Sequence, residues 1–181
     1  WVASDHAGDL DVAAARERGA GLRLIENLGG ANFREVTAAA GVGAEDPSVA
    51  LTWVDFDGDH DVDLYVLRQA GRGALYSNSR NGRFEEIAGA VGAAGPGAAV
   101  AVIAEDLDND GAVDLALLAG QEIALLANHG DGTFRVAGSI RVGHPATRLA
   151  AADLNNDGYL ELVAGGTAGL SILANAGGFR F

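Results

Sequence analysis

Apolar residues in this chain come in short runs, broken by clusters of Asp, Asn and Gly. The run over 49–54 leads into the acidic stretch 55–63, and the run over 63–67 leads out of it. Two further β-type runs follow, at 72–78 and 83–87, joined through Asn81-Gly82, a dipeptide suited to a tight hairpin. The same succession predicts strands over 98–104, 113–118, 122–127 and 133–139, turning at Asp131-Gly132. It predicts them again over 147–151, 160–164, 170–174 and 178–181. The beginning of the chain carries a worn version, with a strand stub over 1–3 followed by 12–15, 21–27 and 32–37. Propensity alone permits helix at 13–18 and 37–40. Their counterparts one unit on, Tyr65-Val66-Leu67 and Ile87-Ala88-Gly89, argue against a long helix, so at most a turn is expected after Val36.

Four copies of one unit emerge when the acidic loops are aligned. The ninth loop positions, Asp11, Asp63, Asp114 and Glu161, are spaced by 52, 51 and 47 residues. Asn27, Asn78, Asn128 and Asn175 recur at 51, 50 and 47. Phe33, Phe84 and Phe134 each follow their Asn by six residues, whereas Phe179 follows by four. Pro47, Pro96 and Pro145, the only prolines, each lie 8 to 10 residues before a loop. Repeats of this length with four short strands point to an all-β fold, a β-propeller or partial propeller, whose blades bury their faces against their neighbours. The expected organisation is a single region, 1–181, with blades of about four antiparallel strands at roughly 1–46, 47–95, 96–144 and 145–181. Phe33, Phe84 and Phe134 are expected to plug the core between blades, and the four Asn residues to stabilise the turns after strand three. Trp1 and Trp53, at equivalent positions, are expected to pack blades.

Composition narrows the function. The formal charge is −13, and all twelve basic residues are arginine, so a nucleic-acid duplex or an anionic membrane would be repelled at long range. No apolar run approaches a membrane span and no signal peptide is visible. Cysteine is absent, which excludes disulfides and thiolate metal sites. Methionine is absent too, initiator included, as expected of a processed chain or of a piece of a longer one. The 27 glycines fit many tight turns.

Much of the negative charge sits in the loops. Asp55, Asp57, Asp59, Asp61 and Asp63 alternate along the second loop. Asp106, Asp108, Asp110 and Asp114 do so along the third, and Asp153, Asn155, Asp157 and Glu161 along the fourth. Oxygen side chains at positions 1, 3, 5 and 9 of a curled loop converge, as a small hard cation requires. Calcium takes six to eight oxygens at roughly 2.3–2.6 Å and tolerates irregular geometry. An all-oxygen set argues against zinc or copper. Asp and Asn also cap turns through local hydrogen bonds, but three aligned loops favour calcium, because crowded carboxylates without a cation weaken a fold. Gly111 and Gly158 allow a left-handed turn at position six, where the second loop has His60 and some strain is expected. In the first loop Ala3 and Ala7 replace two acids. Only Asp5, Asp9 and Asp11 remain, so a weak or empty site is expected there.

The loops and their flanks resemble the FG-GAP/VCBS repeat family, found in integrin α-subunit propellers and many bacterial secreted proteins. Phe84-Glu85-Glu86-Ile87 and the stretch from Phe33 to Val42 resemble a bacterial branch that accompanies ASPIC/UnbV domains. The resemblance covers essentially the whole chain. It implies calcium between the first and second strands of a blade, held by Asp55, Asp57, Asp59 and Asp63, by Asp106, Asp108, Asp110 and Asp114, and by Asp153, Asn155, Asp157 and Glu161. The carbonyls of Asp61, Ala112 and Tyr159 would complete the three shells. Propellers of this family commonly have seven blades. Four repeats therefore leave open a closed four-blade ring, two chains completing an eight-blade ring, or part of a longer ring.

No nucleophile–base–acid set stands out, and Gly29-Gly30 and Gly165-Gly166 lack the strand–loop–helix setting of a phosphate site. His6, His60, His129 and His144 share no repeat position, and His144 is expected in an inter-blade connection. The expected function is a calcium-stabilised, noncatalytic binding or scaffold module of a secreted, periplasmic or cell-surface protein, engaging a protein or glycan. Self-association that completes a ring is the further partner expectation, with no nucleic acid and no membrane insertion. The alternatives are an enzyme or enzyme-associated propeller domain with a central-channel site, and a lectin, for which the sparse aromatic content is unfavourable.

Overall fold

The structure is a computed structural model that describes residues 4, 10–16, 21–43, 46–69, 72–80 and 82–181. Four antiparallel sheets follow one another along the chain, each a simple meander. The first holds β1 (Val12–Ala15), β2 (Leu22–Asn27) and β3 (Phe33–Glu35). The second holds β4 (Ser48–Val54), β5 (Asp63–Arg68), β6 (Ala74–Asn78) and β7 (Phe84–Glu86), followed by a single helical turn, α1 (Ala88–Val91). The third holds β8 (Ala101–Glu105), β9 (Asp114–Ala119), β10 (Glu122–Asn128) and β11 (Phe134–Arg141). The fourth holds β12 (Arg148–Ala152), β13 (Glu161–Gly166) and β14 (Gly169–Leu173). The acidic loops join β4 to β5, β8 to β9 and β12 to β13.

The repeat dictates how the sheets stack. Side chains alternate across a strand, and the middle strands of the second and third sheets are apolar on both faces. Leu64 and Val66 of β5 pack with Leu22 and Leu24 of the first sheet. Tyr65 and Leu67 of the same strand face the other way, packing with Leu115 and Leu117 of the third sheet. On the far side of that sheet, Ala116 and Leu118 join Leu162 and Ala164 of the fourth. Each fully buried leucine contributes about 1.5–3 kcal/mol, so the three inter-sheet cores dominate the stability. The chain length between units therefore does less to hold them than the faces do.

Two expectations need correction. The stretch 178–181 forms no strand: Gly177, Gly178 and Phe179 all take positive φ in a tight turn, closed where the Ala176 N–H donates to the Arg180 carbonyl at 2.8 Å. Phe33 does not plug a core. Phe84 and Phe134 are buried against the sheet before their own, but among the described residues no sheet lies against Phe33, which is 52% exposed. The stub over 1–3, with Trp1, lies outside the described residues. Trp53 packs against the core between the first two sheets, its ring 6.4 Å from that of Phe84. After Val36 there is a turn and no helix.

Candidate metal centre

Each loop is shaped by its own carboxylates. In the third loop, Asp106 accepts from the N–H groups of Asn109 (2.7 Å), Asp110 (3.2 Å) and Gly111 (2.9 Å). Asp108 accepts from Asp110 N–H (3.1 Å), and Asp110 from Ala112 N–H (2.8 Å). The second loop repeats this, with Asp55 accepting from Gly58 and His60, Asp57 from Asp59, and Asp59 from Asp61. So does the fourth, where Asp153 accepts from Asp157 and Gly158, Asn155 from Asp157, and Asp157 from Tyr159. At position six φ is +93° in Gly111 and +89° in Gly158, and His60 is held at +70°. The strain expected of His60 is therefore present, in an exposed side chain that gains nothing from core packing.

Position nine closes the loop from below. Asp63 is buried, and its carboxylate accepts from Asn78 N–H at 2.8 Å and Phe56 N–H at 3.3 Å. Asp114 is likewise buried and accepts from Asn128 N–H and Leu107 N–H, both at 2.9 Å. Burial pushes both carboxyls up to about 7, against the opposing pull of those N–H donors. Glu161 is buried and accepts from Leu154 N–H at 2.8 Å. In the first loop Asp11 does the same work with Ser4 N–H, Ser4 Oγ–H and Asn27 N–H. Asp5 and Asp9 lie outside the described residues.

These bonds bring one oxygen each of Asp55, Asp57 and Asp63 within 4.8 Å of one another, and likewise of Asp106, Asp108 and Asp114. Asp57 and Asp108 are both pushed above the usual carboxylate range, first by burial and then by the neighbouring Asp59 and Asp110. Oxygen-only donors under that electrostatic load suit a hard divalent cation. Asp59 and Asp110 fall outside the two triads. The fourth loop forms no acidic triad, because position three is Asn155. Its amide nitrogen donates to Asp157 at 2.9 Å and to Glu161 at 3.4 Å, which satisfies those acids internally. A cation there requires the amide oxygen to face the centre instead.

Sequence reasoning missed the neighbours of these loops. Arg80 stands where other units have Gly29, Gly130 and Gly177, and it donates to the Asp61 carboxylate at 2.6 Å and to the Asp59 carbonyl at 2.7 Å. Asn27, Asn128 and Asn175 steady their turns through Oδ1, whereas among the described residues Asn78 Oδ1 is buried without a donor, and the side-chain amides do more than that. Asn128 Oδ1 accepts from Gly130 N–H, as expected, but Nδ2 reaches the Phe56 carbonyl of the preceding loop. Asn78 and Asn175 reach Ser4 and Leu107 in the same way. Their spacing at the unit period was the available signal. His144, as expected, sits in a connection, with Nε2 3.2 Å from Ser171 Oγ and Nδ1 3.2 Å from the Pro145 carbonyl.

The fold and the loops define a class, that of repeat proteins built from small antiparallel sheets with acidic, cation-type loops. Within it, the FG-GAP-like repeat model matches residues 5–66, 55–117 and 106–164, and the chain belongs to that family. No curated protein matches it. Among solved structures, the chain is similar to a lectin of Agrocybe aegerita, described as recognising non-reducing terminal N-acetylglucosamine. That likeness has a TM-score of 0.60 at 20% identity and covers 97% of this chain and 48% of the lectin chain. It is also similar to the Photorhabdus luminescens Tc holotoxin pore, with a TM-score of 0.54 at 18% identity, over 88% of this chain and 8% of that one. At these identities the likeness concerns the fold. Among the described residues no helix is long and apolar enough to cross a membrane.

Proposed function

We propose that this chain is a calcium-stabilised, noncatalytic binding or scaffold module of a secreted, periplasmic or cell-surface protein, its four sheets acting as blades of a β-propeller. The observation that carries this reading is the pair of matching carboxylate triads, Asp55, Asp57 and Asp63, and Asp106, Asp108 and Asp114. Asp59, Asp110 and the carbonyls of Asp61 and Ala112 would complete those two shells. Asp153, Asn155, Asp157, Glu161 and the Tyr159 carbonyl would form a third. Bound calcium supplies positive charge that offsets the crowded carboxylates and cross-links the two strands flanking each loop. Because it binds only the folded loop, it stabilises the fold by mass action. Affinities on the order of 10⁻⁴–10⁻³ M, typical of extracellular modules, suffice for that role.

Calorimetric titration of the chelated protein with calcium tests the reading, alongside thermal melts with calcium and with chelator. Binding at two or three sites and a higher melting temperature in calcium are expected. Absence of both would sink it. The partner is proposed to be a protein or a glycan. Similarity to the mushroom lectin supports the glycan arm, which titration with N-acetylglucosamine tests directly.

A further inference from the structure

Between the third and fourth acidic loops a side chain crosses the gap. Asn109, at position four of the third loop, donates from its side-chain amide to the Gly158 carbonyl, at position six of the fourth, at 2.8 Å. The two residues are 49 positions apart in the chain. A carbonyl acceptor can be met only by the amide nitrogen, which fixes the orientation of the Asn109 side chain.

Both ends of that bond are tied to the acids of their own loops. The Asn109 N–H donates to Asp106, at position one of the third loop, at 2.7 Å. The peptide that carries the Gly158 carbonyl offers its N–H, that of Tyr159, to Asp157 at 2.9 Å. The N–H of Gly158 itself donates to Asp153 at 3.0 Å. A line of bonds thus runs from Asp106 through Asn109 and Gly158 to Asp153 and Asp157. The calcium reading places all three acids in cation shells, one in the third loop and two in the fourth.

The second loop has no side chain to make this bridge. Its position four is Gly58, which shares the left-handed conformation of Asn109, with φ of +73° against +66°. Glycine and asparagine both suit that conformation, but only asparagine can reach a neighbouring loop. A cleft of about 420 Å³ lies beside Gly58, lined also by Asp57, Asp110 and Gly111.

We infer that Asn109 is a positioning residue that couples the third and fourth cation sites, while Gly58 leaves the second and third uncoupled. Ordering of Asp106 fixes the turn that carries Asn109. Asn109 in turn fixes the Gly158–Tyr159 peptide, and with it the two acids that accept from the N–H groups on either side of the Gly158 carbonyl. A loop already ordered by its cation therefore leaves its neighbour less to order. Such coupling is reciprocal, each site raising the affinity of the other by the same factor. The bond is exposed, so water replaces it at small cost to the fold. Its loss should appear in the coupling of the sites and not in the melting temperature of the chelated protein.

This inference rests on the calcium reading proposed above. Amide NMR spectra of the whole, isotope-labelled chain during a calcium titration test it. The N–H groups of His60, Gly111 and Gly158 each donate to the position-one acid of their own loop, so each reports one site. Asp108→Asn weakens the third site. With Asn109 in place, it should raise the half-saturating calcium at Gly158 about fivefold more than at His60, the scale of one net hydrogen bond. The loop of His60 is the other neighbour and registers only the through-space loss of charge. In Asn109→Gly, which copies the residue of the second loop, Asp108→Asn should move both midpoints equally. Equal shifts with Asn109 present, or a difference that persists in Asn109→Gly, overturn the inference. A silent Gly158 beside responsive His60 and Gly111 ends the coupling alone and leaves the calcium module standing. If none of the three responds, the calcium reading itself falls and the coupling with it.

Discussion

The side-chain amide of Asn128 donates 2.6 Å to the carbonyl of Phe56, a residue 72 positions earlier in the chain. The same amide nitrogen donates to Val113 in its own loop at 3.1 Å, and its oxygen accepts from Gly130 N–H at 3.1 Å. One buried side chain thus ties a turn, its own acidic loop and the loop of the preceding unit.

Replacing Asn128 with Ala leaves the buried Phe56 carbonyl and the partly buried Val113 carbonyl without this donor, which costs about 1–3 kcal/mol for a buried group. Asn128→Asp should be at least as damaging, because it keeps the acceptor for Gly130, loses both donors and adds a carboxylate near buried Asp114. Urea denaturation should show a lower midpoint for both variants at unchanged slope. An unchanged midpoint would mean that the stacked faces alone hold the units together.

The second and third loops carry opposite signs of effect with and without metal. Asp57→Asn and Asp108→Asn each remove a negative charge from a crowded set, so both should be neutral or stabilising in chelator. In calcium both should weaken binding by about tenfold or more, the scale of losing a charged ligand contact. Melting temperatures in the two buffers give the comparison, and a variant equally stable in both relative to wild type would contradict a ligand role.

Stability of the calcium-free chain should fall as pH rises from about 4 to about 7. Asp63 and Asp114 have folded-state values raised from 3.8 to about 7 by burial, so in that window the folded chain holds protons that the unfolded chain has released. The slope of unfolding free energy against pH is then negative. Their contribution is fully present below about 4 and lost above about 7. Calcium competes with those protons, so its affinity should rise with pH over the same window. Chemical denaturation at pH 4.5, 6 and 7.5, in chelator, checks the sign; rising stability would refute it.

Gly41 and Gly92 are one unit apart and serve one purpose. They take φ of +77° and +80°, and a Cβ at either would meet the carbonyl oxygen of Phe84 or Phe134 in the following unit. Ala substitution at either should destabilise by roughly 2 kcal/mol or more, from left-handed strain together with a clash against backbone. Gly120→Ala supplies the control: its φ is +64° but nothing lies near its Cβ position, so only the conformational part should appear. Equal losses at Gly92 and Gly120 would show that the close approach is unimportant.

The sequence by itself determined whatever repeats along the chain. Alternation and loop spacing placed the strands of the two inner units to within a few residues, and the acid pattern of the second and third loops anticipated the residues that meet in each triad. Those features are local: a strand's alternation and a loop's carboxylate-to-N–H bonds are set by residues a few positions apart. Only the tertiary structure decided what each repeated position touches. Phe33 has the same local sequence role as Phe84 and Phe134 yet stands 52% exposed, because burial at that position depends on a neighbouring sheet, and among the described residues none lies against it. The stretch 178–181 reads as a strand yet turns, because Gly177, Gly178 and Phe179 take positive φ in succession, which no extended strand accommodates. Asn128 reads as a turn residue, and its bond to Phe56 appears only when two loops 72 residues apart are stacked side by side. The period fixes the unit, and the neighbour on each face fixes what that unit's side chains do.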